Sequence, residues 1–219
     1  MSLFVFGDSW GTPWRISNRE HFLYDPTWVN YSQAGACLSH IRHTFFEHLS
    51  EIDQCRDSVF FVIPPDIRLF FPEPVSHNSR RDRLATRSVH TRDWSRAFKG
   101  CSLESIYAYF SQVLGSELLL LSNTCRILGI DYCMWHNYGK LDFMDNPYMV
   151  HLDRSRFVSR MSMMGHLLGY ETDLEPGADG PSVELTNTSK NFLHRDQHPS
   201  PAGHATLRSI YENWLNTTL

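Results

Sequence analysis

Cysteine is scarce in this chain and follows no ligand pattern: Cys37, Cys55, Cys101, Cys125 and Cys133 are odd in number, and no two are spaced C-x-x-C. A disulfide framework and a paired-thiolate zinc site are both disfavoured, and reduced, mostly buried thiols in a reducing compartment are expected. Long apolar runs are missing too. No stretch approaches the roughly 20 residues needed to cross a bilayer, and the Leu118–Leu121 cluster sits inside an amphipathic segment. The first expected strand starts at Leu3, which leaves no room for a signal peptide ahead of it. The expectation is a cytoplasmic protein with no membrane partner. There is no excess of positive charge: the formal net charge is −4, which argues against a general nucleic-acid binder. Neither a Walker A loop nor G-x-G-x-x-G occurs, so nucleotide chemistry has no support.

What is present is the rhythm of an α/β domain. At 219 residues, one domain spanning 1–219 is the natural reading. Leu3 to Phe6 is a short apolar run stopped by Gly7-Asp8, the pattern of a buried strand. From Cys37 to Ile52 the residues Leu38, Ile41, Phe45, Leu49 and Ile52 recur at helical spacing. Val59 to Ile63 is a second apolar run, closed by Pro64-Pro65. Ser105 to Leu128 predicts a long helix with Ile106, Phe110, Val113, Leu121, Cys125 and Leu128 on its inner stripe, and Ile130 to Trp135 predicts a third strand. The last helix buries Leu207, Ile210, Tyr211, Trp214 and Leu215, with Ser200 placed to cap it and Pro201 in its first turn. Strands alternating with helices imply a parallel sheet covered on both faces, with ligands at the strands' C-terminal ends.

Two stretches break this rhythm and read as excursions above the sheet, at about 64–100 and 137–192. The first holds eight of the twenty Lys and Arg residues: Arg68, Arg80, Arg81, Arg83, Arg87, Arg92, Arg96 and Lys99. It is either a solvated loop or a lid facing an anionic substrate such as an acidic glycan. Asp82 and Asp93, and the lack of interleaved aromatics, weigh against nucleic acid.

Gly7-Asp8-Ser9 stands where the first strand ends, so the serine hydroxyl is held on a short turn at the ligand edge. A serine needs a positioned base to attack at neutral pH. The candidate lies at the other end of the chain, in Asp196-Gln197-His198-Pro199-Ser200-Pro201-Ala202-Gly203-His204. In extended chain Asp196 and His198 project to one side, and the residue before Pro199 is biased toward extended backbone. The carboxylate can then take the Nδ1 proton and leave Nε2 to accept from Ser9.

Gly-Asp-Ser near one end and Asp-x-His-Pro-Ser-x-x-Gly-His near the other resemble the SGNH (GDSL-like) hydrolases, including compact phage-type members. The resemblance implies a three-layer α/β/α sandwich on a flavodoxin-like sheet, and a serine esterase using a covalent acyl-enzyme without metal or cofactor. It implies Ser9, His198 and Asp196 as the triad. Asn30-Tyr31-Ser32-Gln33-Ala34-Gly35 resembles the family's second block, which makes the Ser9 and Gly35 N–H groups the oxyanion donors. The implied substrate is a small-molecule or glycan ester, an O-acetylated carbohydrate among them.

The chain departs from that family at two places. Where the third block places an oxyanion asparagine, this sequence has Ile63-Pro64-Pro65-Asp66-Ile67-Arg68, with Arg68 the nearest polar substitute. The Asp-x-His spacing is one residue shorter than in many members. Trp10 and Trp14 either line a substrate pocket or pack the loop, and His204 is expected to hydrogen-bond the loop from the final helix. His40, His43 and His48 read as a solvated helix face. The rival reading is a structural or binding protein of this fold, virion-associated for example, with reduced or lost activity.

Overall fold

The computed structural model of the chain describes residues 2–13, 16–64, 99–139, 141, 146–171, 189–194 and 197–218, with 103, 106 and 107 described by backbone alone. Four parallel strands form one sheet: β1 (Leu3–Phe6), β2 (Val29–Asn30), β3 (Ser58–Ile63) and β4 (Asp131–His136), in the order β2-β1-β3-β4. The register pairs Leu3 with Ser58 and Phe6 with Phe61, then Ser58 with Asp131 and Ile63 with His136.

Strand alternation separates two cores. Phe4, Phe6, Val59, Phe61, Ile63, Tyr132 and Met134 face one side, and Val5, Phe60, Val62, Cys133 and Trp135 face the other. Helix α1 (Leu38–Glu47) and helix α2 (Leu103–Leu128) cover the first face through Ile41, Phe45, Leu114, Leu118, Leu121 and Cys125. Helix α3 (Met163–Leu168) and helix α4 (Pro201–Thr218) cover the second through Met163, Met164 and Leu207. Each fully buried Phe or Leu in these layers contributes roughly 1.5–3 kcal/mol. This is the three-layer α/β/α sandwich expected from the sequence.

The strand order has a functional corollary. The β1-to-β2 connection delivers Trp10, Phe22 and Leu23 to the α4 face, whereas the later connections place α1 and α2 on the opposite face. Right-handed crossovers require that arrangement when the chain first moves outward to β2 and then returns past β1. The order therefore reverses at β1, and a crevice outside the C-terminal end of that strand is where such sheets bind ligands.

Several boundaries differ from expectation for local reasons. α1 ends at Glu47, and Leu49–Glu51 continues as a single 3-10 turn. α2 begins two residues earlier than expected, because Ser102 accepts from Ser105 N–H and caps it, and it stops at Gly129 in the left-handed conformation. The inner stripe of α2 centres on Leu118 rather than Val113. Within 137–192, expected only as an excursion, Ser162 accepts from Gly165 N–H and caps α3, and Phe157 bridges to Met134. Cys37, Cys125 and Cys133 are buried and Cys55 and Cys101 exposed, all of them free thiols. No described helix is long and apolar enough to cross a membrane.

Candidate active site

β1 ends at Phe6 and the chain turns at once. Gly11 N–H donates to the Asp8 carbonyl at 3.0 Å, closing a turn whose central residues are Ser9 and Trp10. Asp8 is fully buried. One of its carboxylate oxygens accepts from Trp10 N–H at 3.0 Å, the other from the side-chain amide of Asn137 at 2.8 Å. Ser9, held between these anchors, is 8 % exposed, so the nucleophile candidate opens to solvent only narrowly. Thr12 Oγ1 donates to the Ser9 carbonyl at 2.9 Å and fastens the far side of the turn.

Gly7-Asp8-Ser9-Trp10-Gly11 also satisfies G-x-S-x-G, the spacing of a strand-to-helix nucleophile elbow. No helix follows here, only turn and bend through Thr12. The serine is set by hydrogen bonds to its flanking residues instead of by a helix start.

The segment after β2 is laced to this turn. Tyr31 N–H donates to Val5 O at 2.8 Å and Gln33 N–H to Gly7 O at 2.9 Å, which prolongs the ladder beyond the strand. Asn30 works on both chains: its Oδ1 accepts from Ser32 N–H at 2.9 Å and its Nδ2 donates to Gly11 O at 2.7 Å. Ala36 N–H then closes a turn on Gln33 O at 3.0 Å, with Gly35 at φ 79° in its third position. A turn with positive φ there is of the kind that selects glycine. The Gly35 turn is thus fixed beside the Ser9 turn.

The C-terminal segment forms a narrow hairpin ahead of α4. Leu193 bridges Pro199, His194 N–H donates to His198 O at 2.8 Å, and Gln197 N–H to His194 O at 2.9 Å. Gln197 sits at φ 63°, a left-handed position, so the backbone entering His198 is not the extended run expected to set Asp196 and His198 on one side. Ser200 Oγ accepts from Gly203 N–H at 3.2 Å and donates to Asn191 O at 2.6 Å. It caps the helix, as expected from Ser200-Pro201, and also ties it to the 3-10 turn Ser189–Asn191. A Cβ on Gly203 would lie 2.2 Å from Phe192 O, so only glycine lets α4 start this close to the hairpin.

Two buried histidines join the ends of the chain. His21 Nε2 donates to Trp10 O at 3.1 Å while its Nδ1 accepts from Leu23 N–H at 3.2 Å, which selects the neutral Nε2-protonated tautomer. Burial, opposed by the Trp10 contact, pushes its pKa down to about 4. His204 Nδ1 accepts from Phe22 N–H at 3.4 Å, the loop-binding role expected of it. Its pKa is pushed down to about 3 by burial and then by neighbouring His21, His194, His198 and Arg208. Arg208 donates to His21 O at 2.6 Å and completes the clamp on this loop. The path Ser9–Trp10–His21–His204 thus leads to the neighbourhood of His198. No spacing pattern in the sequence marks His21 or Asn137, and Asn30 enters it only as the start of the block at 30–35, without its role on Gly11.

Ser9 and Gly35 therefore sit on adjoining turns at the β1 end, and His198 sits in the hairpin that leads into α4. Asp196, Arg68 and Trp14 lie outside the described residues. Trp10 is 1 % exposed and donates its indole N–H to Tyr138 Oη at 2.8 Å, so it packs the loop and presents no face to a substrate. On and after α1, His43 pairs with Glu47 and His48 with Glu51 on partly exposed surface, whereas His40 is buried. No group of three or more metal-ligating side chains occurs among the described residues. Two pockets open near the strands' N-terminal ends, one of about 750 Å³ beside Leu3, Tyr132 and Trp214 and one of about 290 Å³ beside Ser122 and Arg156. Neither is lined by Ser9.

No protein-family model and no curated protein sequence matches the chain. Solved structures do. The crystal structure of TesA shares 14 % identity at a TM-score of 0.51, covering 100 % of both chains. The psychrotrophic esterase EstA from Pseudoalteromonas sp., in a structure inhibited by monoethylphosphonate, gives 8 % identity and a TM-score of 0.52 over 99 % of this chain and 97 % of that one. A member of the lipolytic protein G-D-S-L family from Veillonella parvula DSM 2008 gives 8 % and 0.51 over 97 % of each chain. The parallel sheet between two helical layers, matched over nearly the whole chain by these neighbours, is the SGNH (GDSL-like) hydrolase fold.

Proposed function

We propose that this protein is a serine ester hydrolase with Ser9 as nucleophile. The observation that carries the reading is the lacing of the Gly35 turn to the Ser9 turn, through Gln33 N–H to Gly7 O and Asn30 Nδ2 to Gly11 O. That arrangement brings a hydroxyl and two candidate backbone donors to the reversal point of a parallel sheet.

In this mechanism Ser9 Oγ attacks the acyl carbon while His198 takes its proton, with Asp196 orienting the imidazole and stabilising its charged form. The Ser9 and Gly35 N–H groups hold the oxyanion. His198 returns the proton to the leaving alcohol, and water or another hydroxyl then releases the acyl group from Ser9. No metal or cofactor enters these steps. The substrate class proposed is a small-molecule or glycan ester, with O-acetyl carbohydrate first among the candidates.

The test is turnover of p-nitrophenyl acetate, paired with a fluorophosphonate probe that forms a bond to Ser9 Oγ and expels fluoride. A phosphonate suits the test because it inhibits an esterase of this fold. Wild type is expected to turn over substrate and to be labelled at Ser9; Ser9→Ala is expected to do neither. Equal turnover in both proteins overturns the assignment.

A second reading rests on Pro64 directly after β3, a residue with neither a side-chain donor nor an N–H to offer. It makes the chain a structural or binding protein of this fold, in a virion for example, with reduced activity. A folded wild type that remains unlabelled favours it.

A further inference from the structure

Asn137 immediately follows β4 and is fully buried. Its backbone is held on both sides: the N–H donates to Ile63 O at 3.0 Å and the carbonyl accepts from Met164 N–H at 3.0 Å, tying it to the end of β3 and the start of α3. From there its Nδ2 reaches across the end of the sheet to Asp8 Oδ2 at 2.8 Å. The other Asp8 oxygen accepts from Trp10 N–H. Ser9 is the residue between Asp8 and Trp10, so a single buried carboxylate fastens both of its neighbours. Asn137 Oδ1 is buried with no hydrogen-bond partner among the described residues. Rotating the amide would set that oxygen against the carboxylate, so only one orientation makes the bond.

We infer that Asn137 is a positioning residue for the nucleophile, acting through Asp8 and not by touching the substrate. This rests on the ester-hydrolase reading and extends it. Two strands away from Ser9 in the sheet order, it transmits the rigidity of the β3–β4 ladder and the α3 start to the Ser9 turn. Misplacing a reacting atom by about 1 Å can cost on the order of 100-fold in rate. Because the substrate's own contacts are untouched, the loss belongs in kcat.

The test compares Asn137→Ala, Asn137→Ser, Asn137→Asp, Asp8→Asn and the double variant Asp8→Asn/Asn137→Asp. Each is assayed for kcat and KM on p-nitrophenyl acetate and for the rate of fluorophosphonate labelling of Ser9. In the double variant the amide carbonyl at position 8 still accepts from Trp10 N–H, and its NH2 donates to the carboxylate at position 137. The geometry is restored with the polarity reversed. Single variants are expected to lose roughly 100-fold in kcat and labelling rate with KM unchanged, Asn137→Ser the least, and the double variant to regain most of that loss. A merely structural contact would lower thermal stability without this split or rescue. Wild-type kcat in Asn137→Ala and Asn137→Ser, a loss confined to KM, or a folded double variant no better than its parents overturns the inference while labelled wild type keeps the hydrolase reading. An unlabelled wild type removes both.

Discussion

The imidazoles of His21 and His204 lie with their ring centroids 4.8 Å apart, and both are shielded from water. One comes from the first crossover and the other from the last helix, and between them they hold the loop behind Ser9 through Trp10 O and Phe22 N–H. Each ring accepts at Nδ1 from a backbone N–H, so neither can protonate there without losing that bond.

This pair makes the fold acid-sensitive. Burial lowers the pKa of His21 to about 4 and that of His204 to about 3, from an ordinary 6.5. Between pH 6.5 and 4 the unfolded chain binds protons that the folded chain refuses. The stability is therefore complete above pH 6.5 and is lost as pH falls toward 4. From pH 7 to pH 5 the two groups together account for roughly 4 kcal/mol of lost stability. Buried His136, its pKa lowered to about 3, adds a third contribution of the same sign. Urea midpoints measured across this range should fall steeply, and His204→Gln, which keeps an acceptor but does not titrate, should flatten the slope by roughly a third. An unaltered slope in His204→Gln refutes the assignment.

Trp10 and Tyr138 supply a second prediction. Their rings meet edge-on at 5.2 Å, and the indole N–H is satisfied by the phenol oxygen alongside. Tyr138→Phe strands that donor in the α4-side core, and a loss of about 1–3 kcal/mol is expected. In the Trp10→Phe background the same change should cost distinctly less, because there is no donor to strand. Equal costs in the two backgrounds, by denaturant titration, show that the bond contributes nothing.

Gly203 in the first turn of α4 and Gly35 in its loop turn should respond differently to alanine. At Gly203 the added methyl meets a backbone carbonyl, and a loss of about 1–3 kcal/mol should accompany slower probe labelling as α4 is pushed off the hairpin. At Gly35 the methyl meets nothing, and the cost is the left-handed backbone alone, roughly 1–2 kcal/mol. Labelling rates and melting curves of both variants check the contrast; a faster-labelling Gly203→Ala contradicts it.

The layers were legible because apolar runs such as Val59–Ile63 admit few alternatives to a doubly covered strand, and because Ser200-Pro201 announces a helix start. Ser9 and His198 could be named from tripeptide-scale chemistry at opposite ends of the chain. Asn137, Asn30 and His21 could not. Asn137 acts through Asp8 at 129 residues' separation, while His21 and Asn30 hold backbone carbonyls 11 and 19 residues away, and no local period encodes such pairings. Trp10 was undecidable for the same reason, since its fate depends on Tyr138, 128 residues away. The short helix Met163–Leu168 escaped notice because six residues hold too few turns to establish a periodicity.

The grip of Arg208 on the carbonyl of His21 spans 187 positions. During synthesis, this clamp on the loop behind Ser9 cannot form until Arg208 has left the ribosome. Contacts of such separation slow folding. A nascent chain halted before the final helix therefore lacks both the Arg208 and the His204 holds on this loop, and its last ties come only with that helix.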